Sequence, residues 1–167
     1  MKTLALAAIS AIALGSALHA SEASSSITGQ DGTDFGMVTA ADTASGMVLV
    51  TLDLQGLPEG THAIHIHETG DCSGDFSGAG GHLAGGAAHG VMDADGPHPG
   101  DMPNLVVGPD GAWKGEVFLA ELSVEDMMMD ADGSALIIHE GADDYTSQPS
   151  GSAGDRLACG VFEPAGN

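Results

Sequence analysis

Short runs in which apolar and polar residues alternate recur along the chain and predict β-strands. Residues two apart on a strand project from the same face, because successive side chains point to opposite sides. In the run Met47–Leu54, alternate apolar residues from Val48 onwards share one face, whereas Thr51 and Asp53 lie on the other. The predicted strands are Phe35–Ala40, Met47–Leu54, Thr61–Glu68, Asn104–Val107, Ala112–Leu122, Ser134–Glu140 and Arg156–Phe162, with a short one near Ser25–Gly29.

Turn-forming residues separate these runs. Asp31-Gly32, Ser45-Gly46 and Asp132-Gly133 stand between predicted strands. Glycine adopts positive φ at no steric cost, and aspartate hydrogen-bonds its neighbouring backbone, so both favour turns. After the N-terminal segment, almost nothing has the spacing of an amphipathic helix. The pattern therefore predicts an all-β fold, an antiparallel sandwich or barrel of about eight strands.

Two long polar segments interrupt the strand pattern. Thr69–Pro103 is rich in Gly, Ala, Asp and His without periodicity, and Gly141–Asp155 is a second polar loop. Loops longer than about 15 residues in a compact domain are usually functional or disordered. The first loop contains three histidines and an aspartate, and the second follows His139 directly. We therefore expect both loops to be functional.

The N-terminal segment has the features of a signal peptide. Lys2 precedes an apolar run from Leu4 to Leu18, and Ser21-Glu22-Ala23 is a cleavage context, with Ala17 and Ala20 as alternatives. The run is too short and too rich in small residues for a good membrane span. The sequence predicts a signal peptide over 1–23, a single domain over 24–167, and a periplasmic or secreted product with no membrane insertion after cleavage. An uncleaved membrane anchor is the alternative.

Acidic residues dominate the charge. The chain has 24 acidic and 3 basic residues, for a formal net charge of −21. The basic residues are Lys2, Lys114 and Arg156, and Lys2 lies in the predicted signal peptide. Binding to nucleic acid or an anionic membrane requires basic residues that neutralise phosphates, so both are excluded as partners.

The chain has two cysteines, Cys72 and Cys159. Disulfides form in oxidising compartments, so in an exported protein these two are expected to pair. The bridge would close a loop of about 87 residues, which contributes roughly 4 to 5 kcal/mol in the chain-entropy model.

Histidines are concentrated on strand ends and in the first long loop. His65 and His67 share one face of a predicted strand, where they either bind a metal together or each form a separate hydrogen bond. His62 lies on the other face of that strand, and we expect it to be a packed, hydrogen-bonded residue. The candidate donors are His65, His67, His82, His89, His98, His139 and Asp101. These seven donors fall one short of two four-coordinate sites, and an imidazole that bridges two metals supplies the eighth.

The order of these residues resembles the bacterial branch of the copper/zinc superoxide dismutases from about Phe35 to Glu163. The matching motifs are His65-x-His67, Gly80-Gly81-His82, His89-Gly90, His98-Pro99-Gly100-Asp101, Ile138-His139-Glu140, Ala142-Asp143-Asp144 and Arg156-Leu157-Ala158-Cys159-Gly160. The segment Leu83–Ala88 departs from the family pattern, being one residue shorter than the common spacing and lacking Asn-Pro.

The resemblance implies a role for each motif residue. Copper would be bound by His65, His67 and His139 together with the bridging His82. The zinc site, which also contains His82, would be completed by His89, His98 and Asp101. Asp143 would accept hydrogen bonds from His65 and His89, and Arg156 would dock the superoxide anion. The implied fold is a Greek-key β-sandwich or flattened barrel, and the implied activity is dismutation of superoxide to dioxygen and hydrogen peroxide with copper and zinc ions.

Two matters stay open in the sequence. Bacterial members of this family occur as monomers and as homodimers, and no exposed apolar run selects between these states. A non-catalytic metal carrier on the same scaffold is the rival function, although such a protein would be expected to lack a copper ligand or the arginine.

Overall fold

A computed structural model describes residues 21–166 of the chain, so the predicted signal peptide lies almost entirely outside the described residues. The first strand begins at Glu22, so cleavage after Ala23 would remove its first two residues, whereas cleavage after Ala20 would leave it whole. The strands are β1 Glu22–Gly29, β2 Asp34–Asp42, β3 Val48–Leu54, β4 Gly60–His62, β5 Ile64–His67, β6 Leu105–Val107, β7 Trp113–Leu119, β8 Ala135–His139, β9 Arg156–Val161 and β10 Glu163–Pro164.

Eight of these strands form one curled antiparallel sheet. Its order is β5-β8-β9-β1-β2-β3-β7, with β10 paired to β1, and β4 and β6 form a separate two-stranded sheet. This arrangement confirms the predicted all-β class; residues 21–166 form ten strands where the sequence predicted about eight, and eight of the ten belong to the main sheet. Helical structure within residues 21–166 is limited to a 3-10 turn at Ser77–Ala79 and a π-helical turn at Val124–Met128. None of the described helices is long and apolar enough to cross a membrane.

The core follows the alternation in the sequence. Val38 pairs with Leu52 and Ala40 with Val50 across β2 and β3, and all four are fully buried. The π-helical turn adds Met128, which is fully buried, while its neighbours Met127 and Met129 are partly buried against the same core. The methionine run is therefore apolar packing between a loop and the sheet.

The single strand predicted over Thr61–Glu68 is wrong in one respect, because the chain changes partner at Ala63. The residues before it pair with β6, and those after it pair with β8. The backbone N–H of Ala63 donates to the carbonyl of Gly141, and its carbonyl accepts from the N–H of His139. This change brings the start of β5 against the end of β8, where the second polar loop begins.

A disulfide joins the first long loop to β9. Cys72 and Cys159 are bonded, with their Cα atoms 5.9 Å apart, which confirms the predicted disulfide. Around the bridge, Phe76 and Ala79 of the loop form a small buried cluster with Ile137 of β8. The loop segment before His82 is thus held against the sheet by a covalent bond and by apolar contacts.

Candidate metal centre

The first long loop adds to the free edge of β5, which is the last strand of the main sheet. The N–H of Ile66 donates to the carbonyl of Gly100, and the carbonyl of Ile66 accepts from Leu83. These bonds place His82 opposite His67 and Asp101 opposite His65. A Cβ atom on Gly100 would meet the carbonyl oxygen of Ile66 at 2.5 Å, so only glycine allows this approach. Strand pairing therefore brings loop and strand donors together.

Four buried histidines converge on one point at this edge. His65 and His67 of β5, His82 of the loop and His139 at the end of β8 each offer a ring nitrogen, and these atoms lie within 4.8 Å of one another. All four side chains are buried. The structure therefore brings these four residues of the predicted copper set together.

The inward nitrogens of this group have no partner among the described residues. They are Nδ1 of His65 and Nε2 of His67, His82 and His139; Nδ1 of His89 is also buried without a hydrogen bond. A buried polar atom without a partner destabilises a fold by roughly 1 to 3 kcal/mol. Five such atoms in one place are accounted for if metal ions accept their lone pairs.

In three of these four rings, the outward nitrogen is held by an oxygen of the protein. His67 Nδ1 donates to the carbonyl of Gly80 (3.1 Å), and His139 Nδ1 donates to the carbonyl of Gly154 (3.2 Å). His65 Nε2 donates to Asp143 Oδ2 at 2.9 Å. Metal-binding histidines usually have this arrangement, because a donor on one nitrogen fixes the tautomer and leaves the other nitrogen as the ligand.

A second group surrounds the carboxylate of Asp101. Nδ1 of His82 lies 3.0 Å and Nδ1 of His98 lies 3.2 Å from Asp101 Oδ1, and Nδ1 of His89 lies 3.0 Å from Asp101 Oδ2. His89 Nε2 donates to Asp143 Oδ1 at 3.0 Å, so in a neutral His89 the Nδ1 lone pair faces the Asp101 carboxylate. A cation between them removes this repulsion.

Distance alone assigns the second group slightly differently. When the second set is defined by donor atoms that all lie within 4.8 Å of one another, its members are His65, His82, His89 and Asp101. His98 is outside that grouping, but its Nδ1 lies 3.4 Å from Nδ1 of His82 and contacts Asp101 directly. His65 belongs to the first group as well. We place His98 in the second group because its contacts are with the carboxylate.

Burial and neighbouring charges favour neutral histidines and ionised aspartates in the centre. Burial lowers the pKa of His67 to about 2 and that of His139 to about 4, with nearby imidazoles acting in the same direction. Burial alone would raise the pKa of Asp143, but hydrogen bonds from His65 and His89 lower it to about 2. Asp101 is held well below its ordinary pKa by similar bonds from His82 and Gly90, against the effect of its burial. At neutral pH one nitrogen lone pair on each of His67 and His139 is therefore free to bind metal.

Arg156 lies half-buried beside the first group. Its Nη2 donates to the carbonyl of Gly80 at 2.6 Å, and its Nη1 donates to the carbonyl of Phe76. Arg156 also lines an open cavity of about 790 Å³. Four carboxylates line the same cavity, those of Asp31, Asp75, Glu140 and Asp155.

His62 is separate from both groups, as the sequence predicted. It is buried, its Nδ1 lies 2.9 Å from the carbonyl oxygen of His139, and its Nε2 lies 3.0 Å from that of Pro58. It therefore supports the backbone of a cluster residue without offering a nitrogen to the cluster.

Sequence reasoning missed two residues that contact the centre. Asn104 bonds the backbone of Asp143, and Gln148 bonds the backbone of His89. Neither side chain belongs to a motif with a recognisable spacing. Their only signal in the sequence is that each is an amide close to a candidate residue or loop.

Comparisons with known proteins agree with this fold and centre. Residues 35–162 match the family model for copper/zinc superoxide dismutase (SODC). The chain is 41% identical over 141 residues to a superoxide dismutase [Cu-Zn] of Caulobacter vibrioides, covering 80% of each chain. It is 39% identical over 139 residues to superoxide dismutase [Cu-Zn] 2 of Aquifex aeolicus, covering 79% of this chain and 81% of the relative.

The similarity extends to solved structures. A SOD-like protein from Bacillus subtilis superposes with a TM-score of 0.78 at 32% identity, covering 83% of this chain and 96% of the other. A double mutant of that SOD-like protein, with two histidine substitutions, gives the same TM-score at 34% identity, covering 83% of this chain and 95% of the other. The fold is that of SOD-like β-sandwich proteins, and its buried histidine centre could hold metal ions. The chain belongs to the copper/zinc superoxide dismutase family.

Proposed function

We propose that the chain catalyses the dismutation of superoxide to dioxygen and hydrogen peroxide with one copper and one zinc ion. The observation that carries the proposal is the convergence of four buried imidazoles whose inward nitrogens have no hydrogen-bond partner within residues 21–166. Family membership supports the same reaction, because the named relatives are superoxide dismutases. The substrate is the superoxide anion.

The chemistry of the donors assigns the two metals. An all-imidazole set from His65, His67, His82 and His139 suits copper, whereas three imidazoles with one carboxylate suit tetrahedral zinc. Zinc would be held by His82, His89, His98 and Asp101. When bound, copper supplies the one-electron redox chemistry, and zinc keeps a single oxidation state. His82 would bridge the ions, since its Nδ1 faces Asp101 and its Nε2 faces the first group.

The residues of the chain orient the ligands and handle the proton. Asp143 accepts from His65 Nε2 and His89 Nε2, so one carboxylate would fix a ring in each metal site. Where His82 Nε2 is not occupied by metal, it is the buried nitrogen that can hold a proton and deliver it to reduced substrate. No other histidine in the first group has its second nitrogen directed at the second group.

Arg156 would dock the substrate anion. A guanidinium carries five N–H donors and keeps its charge at all physiological pH values. Two carbonyl oxygens, of Phe76 and Gly80, fix its plane from one side. The remaining N–H groups are available to an anion that enters the cavity lined by Arg156.

An exported protein fits these features. The disulfide requires an oxidising compartment, and the N-terminal sequence has the composition of a signal peptide. We propose a periplasmic or secreted enzyme that acts as a monomer or homodimer.

The test is a measurement of superoxide decay by the mature chain loaded with one equivalent each of copper and zinc. We expect rapid decay that is absent with zinc alone and that falls about 10- to 100-fold in Arg156→Ala, since a charge-assisted hydrogen bond contributes roughly 1.5 to 3 kcal/mol. Tight binding of both metals without catalysis would instead identify a metal carrier.

A further inference from the structure

Gln148 holds both polar backbone groups of His89. The N–H of His89 donates to Gln148 Oε1 at 2.9 Å, and Gln148 Nε2 donates to the carbonyl of His89 at 2.9 Å. The two residues are 59 positions apart, so the pair joins the two long loops. A carboxamide suits this contact, because its oxygen accepts and its nitrogen donates.

Asn104 makes the same paired contact with Asp143. The N–H of Asp143 donates to Asn104 Oδ1 at 2.8 Å, and Asn104 Nδ2 donates to the carbonyl of Asp143 at 2.9 Å. Asn104 is itself held, since its N–H donates to the hydroxyl of Tyr145 at 2.8 Å. Two amide side chains therefore fix two backbone segments, one in each loop.

The two held residues contact each other through their side chains. His89 Nε2 donates to Asp143 Oδ1 at 3.0 Å, and both side chains are buried. An amide side chain fixes the backbone of each residue. The His89 ring is therefore held at its backbone by Gln148 and at its Nε2 atom by Asp143. The Nδ1 atom of that ring then has one available direction, toward Asp101 at 3.0 Å.

We propose that Gln148 is a positioning residue for the zinc site, acting through the backbone of His89. This inference rests on the proposed function, in that it requires zinc to bind at His89. Residues that orient metal ligands without touching the metal typically change metal affinity 10- to 100-fold when they are replaced. The effect should be larger for zinc than for copper, since Gln148 reaches the copper ligand His65 only by way of His89 and Asp143.

The experiment compares Gln148→Met, which keeps the length of the side chain but neither hydrogen bond, with Ser147→Ala as the matched control. The Ser147 hydroxyl donates to Asp144 Oδ2 at 2.6 Å within the same loop, whereas the side-chain bonds to the His89 backbone come from Gln148. Zn²⁺ affinity is measured by competition with a chromophoric chelator, and Co²⁺ bound in place of zinc reports the ligand geometry through its visible spectrum. The unfolding midpoint of each metal-free variant is measured alongside.

We expect Zn²⁺ to bind Gln148→Met about 10-fold or more weakly, with an altered Co²⁺ spectrum, while Ser147→Ala keeps wild-type affinity and spectrum. Gln148→Asn, whose amide is too short to reach both groups, provides the same comparison if the methionine variant does not fold. Zinc affinity of Gln148→Met within twofold of wild type, or an equal loss in Ser147→Ala, overturns the inference. Failure of the wild-type chain to bind Zn²⁺ refutes the proposed function itself.

Discussion

His67 and Arg156 donate to the same acceptor, the carbonyl oxygen of Gly80. His67 Nδ1 lies 3.1 Å and Arg156 Nη2 lies 2.6 Å from this oxygen. One peptide group thus fixes the ring of a proposed copper ligand and the cation proposed to dock the substrate. A displacement of the loop at Gly80 would therefore move both groups together.

Arg156→Lys should separate charge from geometry at this position. Lysine keeps the positive charge but lacks the planar fork that reaches both Phe76 and Gly80. We expect kcat/KM for superoxide to lie between those of wild type and Arg156→Ala, with unchanged copper content, in stopped-flow decay measurements. Wild-type kcat/KM in the lysine variant would show that charge alone is sufficient.

The carboxylates around the cavity should slow the approach of an anion. Asp155 and Glu140 line the cavity with Arg156, and the net charge of the chain is −21. We expect Asp155→Lys to raise kcat/KM about 3-fold or more at low ionic strength, because local charge alters association rates. Glu116→Lys makes the same change of net charge on β7, whose residues do not line the cavity, and should have little effect.

The salt dependence of the wild-type kcat/KM tests the same electrostatic repulsion between the acidic surface and superoxide. Added salt screens the repulsion between the acidic surface and superoxide, so the rate should change weakly or rise with ionic strength. A steep decrease of kcat/KM with salt would instead require an attractive field at the cavity.

The metal-free protein should lose stability as the pH falls below about 6.5, the ordinary pKa of histidine. The folded pKa is lowered to about 4 for His139 and to about 2 for His67, so between these values and 6.5 the unfolded chain binds more protons. The stability is fully present above that range and decreases as the pH falls through it. We expect the free energy of unfolding, measured with denaturant in about 1 M salt to screen surface charge, to be at least about 1 kcal/mol lower at pH 5 than at pH 7.5. Equal stability at the two pH values would contradict the buried, neutral state of these rings.

Gly151→Ala should weaken zinc binding. Gly151 has a φ of +68°, and a Cβ atom there would collide with Asp143 Oδ1 and lie 2.8 Å from His89 Nε2. Gly32→Ala is the control, because its φ of +83° carries a similar backbone cost while nothing lies within 4 Å. We expect about a 10-fold or larger loss of Zn²⁺ affinity in Gly151→Ala, and in Gly32→Ala only the loss of about 1 to 2 kcal/mol of stability that left-handed backbone costs a residue with a side chain. Equal zinc affinities would show that the space beside Asp143 is not required.

Removal of the disulfide should lower both stability and activity. Cys72 and Cys159 are separated by 87 residues, a loop for which the chain-entropy model gives a loss of roughly 4 to 5 kcal/mol. The bridge also holds the segment whose carbonyls bind Arg156. We expect the Cys72→Ser, Cys159→Ser double variant to unfold at lower denaturant concentration and, when folded and metal-loaded, to show a reduced kcat/KM. Unchanged kcat/KM would show that Phe76 and Ala79 hold the segment without the bridge.

Strands with regular alternation could be predicted closely from the sequence. The prediction Met47–Leu54 differs from β3 by one residue, because every second position from Val48 onwards is apolar and buried in the core. The break at Ala63 could not be predicted, since the alternation continues through it and the change of partner depends on hydrogen bonds to Gly141 and His139. β1 was underestimated because its inward positions are mostly small, as in Ala23 and Ser25.

The candidate site could be predicted only where side chains carry the chemistry. The histidines and Asp101 are visible in the sequence because imidazole and carboxylate are typical metal ligands. The role of the Gly80 carbonyl could not be predicted from the sequence, since every residue has a backbone carbonyl. Gln148 and His89 are 59 residues apart, and one amide in a polar loop has no pattern that indicates its partner.

The scarcity of positive charge also determines where certain proteases can act. Within residues 21–166, only the peptide bonds after Lys114 and Arg156 are substrates for a trypsin-like enzyme. Lys114 lies in β7, where Asp53 pairs with it across the strands, and Arg156 begins β9. Cleavage at either bond requires that strand to leave the sheet. Fragments cut after Lys114 therefore report the opening of β7, the outermost strand, and fragments cut after Arg156 report the opening of β9, an interior strand.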